Sequence, residues 1–271
     1  MMKKILSIQS SVAAGFVGNT VAGPVLTALG QHPMLVDTVM LAAHPGYGKR
    51  AGGTVPDDIL AAVLDGILSL TDTSGINIVT SGYLGSAAQV AGITAFVDGW
   101  REATGGTYVL DPVLGDGGRL YVAQEIAEAM VAELLPRAHI ITPNHYELSW
   151  LAGRAVGGRD DSARAAGELI ERYGLKAVIT TGVAGDDRTG DLLVTADNGT
   201  SWHAADNAGK NVAGGGDLLT ALLAGMLNLG WQLPDAFKAA SLTAQSIIAA
   251  SPGGRDLALL ESLETVRALA R

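Results

Sequence analysis

Short apolar runs alternate with stretches of helical periodicity from the first residues onward. Lys4–Gln9, Met34–Val39, Asn77–Ser81, Thr107–Asp111, Ala138–Ile141 and Ala177–Thr181 read as buried strands. Between them, about Gly18–Leu29, Pro56–Leu70, Ala87–Arg101, Ala123–Leu134 and Asp160–Tyr173 read as helices. Strand, helix and strand in repetition predict a parallel sheet with helices on both faces. Leu192–Thr195 and Ser201–His203 flank Ala196-Asp197-Asn198-Gly199, and Asn-Gly between apolar runs predicts an antiparallel hairpin. The sheet is therefore expected to be mixed. From Gly216 the pattern is three helical segments, interrupted by Pro234 and by Ser251-Pro252-Gly253-Gly254. No linker, charge block or repeat divides the chain, so one domain over residues 1–271 is expected.

In an open parallel sheet, ligands sit beyond the carboxyl ends of the strands. The predicted strand-end loops are rich in glycine and polar residues, from Gln9–Gly15, Ala43–Lys49 and Ser81–Ser86 to Asp111–Gly117 and Thr142–Glu147. The sharpest feature lies elsewhere, where Ala213-Gly214-Gly215-Gly216-Asp217 runs into an apolar helix. Three glycines at a helix start let several amides turn toward one point, and the helix dipole favours an anion there. Asp217 reads either as an N-terminal cap or as a base that takes a proton from a hydroxyl. Asp111, Asp116 and Glu147 fall at adjacent strand ends. They read either as turn formers or as partners of a hard cation such as magnesium, which keeps several waters and takes few carboxylates.

The 271 residues are ample for a buried core, and 18 basic against 27 acidic residues leave a net charge of −9. Nucleic acid and anionic membranes are therefore not the expected partners. With no cysteine, disulfides, thiolate metal sites and cysteine nucleophiles are excluded, and the cytoplasm is the expected location. The first apolar run ends at Gln9-Ser10-Ser11, too short for a signal core, and the uncharged stretch Thr73–Val97 is too polar for a membrane span. No Walker-type phosphate loop, nucleophile elbow or zinc-protease motif occurs. Gly46-Tyr47-Gly48-Lys49-Arg50-Ala51 approximates a dinucleotide fingerprint but lacks a helix start. Of the five histidines only His44 sits among other candidates, as a structural or a site residue.

Taken in order, the motifs resemble the ribokinase-like superfamily and, within it, the pyridoxal kinases. The resemblance rests on Ser7-Ile8-Gln9-Ser10-Ser11-Val12, Gly15-Phe16-Val17-Gly18-Asn19, His44-Pro45-Gly46-Tyr47-Gly48 and Ser81-Gly82-Tyr83-Leu84-Gly85-Ser86. It continues through Asp111-Pro112-Val113-Leu114-Gly115-Asp116, Tyr121-Val122 and Thr142-Pro143-Asn144-x-x-Glu147-Leu148, spanning roughly residues 4 to 250. It implies an α/β three-layer sandwich, with a mostly parallel central sheet, helices on both faces and an antiparallel edge hairpin. The implied activity is ATP-dependent phosphorylation of the 5′-hydroxymethyl group of pyridoxal, pyridoxine or pyridoxamine in vitamin B6 salvage. Asp217 would be the base, with Gly214, Gly215 and Gly216 as the anion hole. Asp111, Asp116 and Glu147 would organise magnesium and the ATP phosphates, and Thr142, Asn144 and Thr181 would lie along the nucleotide together with Gly214 and Gly216. Ser10, Val12, His44, Pro45, Gly46, Tyr47 and Tyr83 would shape the substrate pocket.

The resemblance also implies a homodimer and leaves a monovalent cation such as potassium open. The chain departs from the family pattern at the second motif glycine, Gly215, where threonine is usual; at Pro45, where threonine is common; and at Arg50, where tryptophan is common. It is short between His203 and Gly214, which leaves open how a lid covers the nucleotide. Hydroxymethylpyrimidine kinase, and a silent pyridoxal phosphate or nucleotide binder, are the alternatives.

Overall fold

A computed structural model describes residues 4–48, 51–70, 75–185, 187–205, 212–253 and 255–270. The strands are β1 (Lys4–Ala14), β2 (His32–Ala43), β3 (Gly52–Thr54), β4 (Ile76–Ser81), β5 (Thr107–Leu110), β6 (Gly115–Asp116), β7 (Arg119–Leu120), β8 (Ile140–Ile141), β9 (Ala177–Ala184), β10 (Thr189–Thr195) and β11 (Thr200–Ala204). The helices are α1 (Asn19–Ala28), α2 (Asp57–Leu68), α3 (Ala87–Thr104), α4 (Gln124–Ala129), α5 (His145–Ala152), α6 (Arg159–Tyr173), α7 (Gly215–Leu229), α8 (Leu233–Ala250) and α9 (Leu263–Ala268). Nine strands form one sheet in the order β11-β10-β9-β8-β5-β4-β1-β2-β3, while β6 and β7 make a separate ribbon. The six strands from β9 to β2 run parallel, and β10, β11 and β3 are antiparallel additions at the two edges.

Successive residues of each strand point to opposite faces, and both faces are covered. Leu6, Ile8, Val79, Leu110, Ile141 and Val178 join one core with α2, α3, α5 and α6. Ile5, Ile78, Val109, Ile140 and Ile179 join the other with α1, α7 and α8. Burial on both sides explains why these strands read as continuous apolar runs, and the expected three-layer sandwich is present. Helix α7 is buried nearly all round from Leu218 to Met226, so its N-terminus is held rigidly against the sheet.

The differences from the sequence reading have physical causes. Strand β1 runs on through Ser10, Ser11 and Val12 to Ala14, pairing with β2 past a bulge between Gln9 and Ser11. Ser10 and Val12 therefore lie on a strand and not in a loop. The polar positions are accommodated inside, with Gln9 Nε2 donating to Ser7 Oγ at 2.8 Å and Ser7 Oγ to Asn19 Oδ1 at 2.8 Å. Asn-Gly makes the expected hairpin turn, with Asn198 at φ 66°. The second antiparallel edge at β3 is Gly-Gly-Thr, with no apolar rhythm to announce it. Of the expected departures from the family pattern, Arg50 and residues 206–211 lie outside the described residues.

Candidate active site

The glycine-opened helix forms as expected. Gly214 is the N-cap residue, with φ 88°, and a Cβ there would stand 2.1 Å from the Phe16 carbonyl oxygen. Only glycine fits that close approach with a left-handed backbone. Gly216 faces open space. Asp217 sits in the first turn but does not cap its own helix: its carboxylate accepts from the Gly18 N–H, in the loop after β1. Gly18 is itself obligatory, at φ 53° with a Cβ position 2.2 Å from the Ser10 carbonyl oxygen. Asp217 is half-buried at its surface, yet enough protein surrounds it that burial raises its pKa above the usual carboxylate range, against the Gly18 hydrogen bond.

On one side of Asp217 the strand ends build a polar frame. Asp111, just past β5, is only 5% exposed, and Thr220 Oγ1 reaches its Oδ2 at 3.4 Å. Thr220 stands on α7 three residues after Asp217, and its hydroxyl also pairs with Thr142 Oγ1 at 2.9 Å. Burial, then the charges of Asp217 and Glu147, push the Asp111 pKa well above the carboxylate range. Thr220 was not foreseen; its place one turn along the motif helix was the available signal.

Glu147 is 3% exposed and both its oxygens are taken by backbone amides. Oε1 accepts from Leu114 N at 2.9 Å and Gly115 N at 3.3 Å, and Oε2 from Asn144 N at 2.8 Å. Asn144 Oδ1 accepts from Glu147 N at 2.9 Å, which completes a reciprocal cap on α5. Asn144 Nδ2 donates to Gly115 O at 2.8 Å, and Asn144 also bridges to Thr181 in β9. Burial raises the Glu147 pKa to about 7, with the three amides pulling the other way. Asp116 is exposed and accepts from Gly117 N at 2.6 Å. The acidic trio thus splits: Asp111 is buried beside Asp217, Asp116 stands at the rim, and Glu147 clips two loops together. Among the described residues no group of three acidic or histidine side chains is arranged to hold a metal ion, and both Glu147 oxygens are occupied by backbone amides.

A cleft of about 560 Å³ opens beside this frame. Asp116, Asn144, Thr181, Gly215 and Gly216 line it, whereas Asp111, Thr142 and Glu147 are buried and do not. Sequence reasoning missed much of its wall, including Tyr146 and Ser149 of α5, Thr189 and Asp191 of β10, and Gln245 and Ile248 of α8.

The expected substrate residues lie on the other side and none lines that cleft. Ser10 and Val12 are buried near the end of β1, and Tyr83 is half-buried, its carbonyl accepting from Thr38 Oγ1 at 2.6 Å. Pro45, Gly46 and Tyr47 form one exposed 3₁₀ turn capped by His44, whose Nδ1 accepts from Gly46 N at 3.2 Å. Asp256 was not foreseen: it meets His44 Nε2 at 3.0 Å and accepts from the Tyr47 hydroxyl at 2.7 Å.

A half-buried carboxylate next to a glycine-opened helix start, with a nucleotide-sized cleft on one flank, defines a small-molecule phosphotransferase of the ribokinase-like fold. The phosphomethylpyrimidine kinase family matches residues 21–256. A pyridoxine/pyridoxal/pyridoxamine kinase of Bordetella avium is 36% identical over 242 residues, covering 88% of this chain and 81% of that one. The crystal structure of pyridoxal kinase from Entamoeba histolytica superposes with a TM-score of 0.92 at 26% identity, covering 99% of this chain and 97% of the other. Pyridoxal kinase from Leishmania donovani, solved with ADP and pyridoxamine, gives 0.87 at 26% identity, with 98% and 96% covered. The chain belongs to the pyridoxal kinase family, and it is a kinase. No helix among the described residues is long and apolar enough to cross a membrane.

Proposed function

We propose that this enzyme transfers the γ-phosphoryl group of ATP to the 5′-hydroxymethyl group of pyridoxal, giving pyridoxal 5′-phosphate and ADP in vitamin B6 salvage, with pyridoxine and pyridoxamine as further acceptors. The observation that carries this reading is the position of Asp217. It is tied through Gly18 to the Ser10 strand end on the alcohol side, and it shares α7 with Thr220, which reaches Asp111 on the phosphate side. In the transfer, Asp217 takes the alcohol proton as the alcohol oxygen bonds to the γ-phosphorus. The bond from that phosphorus to the β–γ bridging oxygen breaks, and ADP leaves with the bridging oxygen. A raised pKa makes Asp217 a better base than an exposed aspartate, and the amides of Gly214 to Gly216 meet the charge on the phosphoryl oxygens.

Kinases of this kind use ATP with a divalent metal. Magnesium fits the donor set here as an ion held largely by phosphate oxygens and water, with Asp111 and Asp116 as its protein partners and Glu147 shaping the loop that carries Asp116. Bound there, it would neutralise charge on the β- and γ-phosphates. Thr142 and Asn144 support the nucleotide side, the former through Thr220 and the latter with Thr181 in the cleft wall.

The family resemblance supports a homodimer; sedimentation at micromolar concentration reads it out. A single cytoplasmic kinase domain accounts for the rest of the chain.

A coupled ADP-release assay with pyridoxal, pyridoxine, pyridoxamine and hydroxymethylpyrimidine, with and without magnesium and potassium, tests the proposal. Magnesium-dependent ADP release with pyridoxal is expected. Release with hydroxymethylpyrimidine alone would assign the rival kinase activity, and ligand-induced thermal stabilisation without ADP release would assign a silent binder.

A further inference from the structure

The segment between α8 and α9 makes contacts that the phosphoryl-transfer reading does not use. Asp256 places one carboxylate oxygen 3.0 Å from His44 Nε2 and accepts from the Tyr47 hydroxyl at 2.7 Å with the other. Because His44 Nδ1 accepts from the Gly46 amide, the ring proton belongs on Nε2, where it is donated to Asp256. Both ring nitrogens are then spent inside the protein and His44 is 2% exposed. The imidazole has only a C–H edge left for a ligand.

The grip extends past the two bonds. The Arg255 guanidinium lies 4.1 Å over the Tyr47 ring, and the His44 and Tyr47 rings meet edge to face at 5.1 Å. Gly15, at the end of β1, has no room for a side chain because His44 and Asp256 stand 2.6 and 2.7 Å from its Cβ position. The next residue, Leu257, packs 3.2 Å from the corresponding position of Gly214. Arg255, Asp256 and Leu257 therefore touch the loop after β2, the end of β1 and the start of α7 together.

We infer that Asp256 is a positioning residue for the alcohol substrate: its two-pronged hold on His44 and Tyr47 fixes the wall of the acceptor site against the α7 N-terminus and thereby sets the KM for pyridoxal. The inference rests on the functional reading above, together with the family resemblance that puts the His44–Tyr47 turn at the substrate pocket. Burial raises the Asp256 pKa, but the Tyr47 and His44 hydrogen bonds outweigh it and hold it below the usual range. The carboxylate is thus ionised at neutral pH and the bonds are charge-assisted.

Steady-state kinetics on purified full-length enzyme, varying pyridoxal and ATP separately, reads this directly. Asp256→Ala is expected to raise the KM for pyridoxal about tenfold, equivalent to roughly 1.4 kcal/mol of lost binding, with kcat and the KM for ATP within about twofold of wild type. Asp256→Asn keeps an acceptor for Tyr47 and should recover part of the loss. Tyr47→Phe, an exposed change that removes one prong, should raise the same KM, and its effect should shrink in the Asp256→Ala background. An unchanged pyridoxal KM in both Asp256→Ala and Tyr47→Phe, or an equal rise in the KM for ATP, overturns the inference while leaving the functional reading intact. A wild-type enzyme that releases no ADP with any B6 alcohol overturns the functional reading, and the inference with it.

Discussion

The two flanks of Asp217 are built differently. On the nucleotide flank, Asp111, Thr142 and Glu147 are buried and satisfied by backbone amides or by one another, and a cleft stands open beside them. On the alcohol flank, an exposed turn is held by a partly exposed carboxylate from more than two hundred residues away. The first flank is a property of strand and helix ends, so it is preorganised. The second depends on a few side-chain contacts made late in the chain, and such contacts are cheaper to alter.

That contrast can be broken at its centre first. Asp217→Asn should lower kcat by at least about 10²-fold, the low end of a general base's contribution, while ATP still binds by calorimetry; a variant with near-normal turnover would remove the base. Gly18→Ala strikes the joint between the flanks, since its Cβ meets the Ser10 carbonyl at 2.2 Å and its backbone is left-handed. A loss of roughly 1–3 kcal/mol in urea unfolding is expected, together with a fall in kcat as Asp217 loses its hydrogen bond.

Glu147→Gln should cost about 1–3 kcal/mol of stability, because the amide cannot satisfy three converging N–H groups as well as the carboxylate does. It should raise the KM for ATP and leave the KM for pyridoxal unchanged; the reverse pattern would contradict the division into two flanks. The smallest effect is on pH. Glu147 sits at about 7 in the folded chain against an ordinary 4.5, and Asp111 and Asp217 are raised as well, all three by burial first. Between those values the folded state binds more protons than the unfolded one, so this stability is complete below 4.5 and is lost as pH rises through 7. The ligand-free wild type should therefore show a lower Tm at pH 7.5 than at pH 5, and Glu147→Gln a flatter dependence.

Much of the fold could be read from local pattern, because a strand buried on both faces and a helix with a turn of 3.6 residues leave their periods in the sequence. The strands missed or cut short were those whose pairing overrides composition, such as the polar stretch Gln9–Ser11 that continues β1 and the Gly-Gly-Thr edge of β3. Helix α5 is announced in the sequence only by Asn144 and Glu147, three apart, which spell a capping box and read equally as nucleotide and metal partners.

The sequence by itself determined the alternation of strands and helices, the acidic character of the chain, and the glycine-opened helix with Asp217 in its first turn, since each depends on neighbours within a few residues. Only the tertiary structure decided what each carboxylate does. Asp217 accepts from Gly18 rather than capping its helix, Glu147 is spent on the amides of a neighbouring loop, and Asp256 closes on His44. A carboxylate's chemistry is set by the donors that surround it and by the water it has lost, and folding brings those from distant parts of the chain.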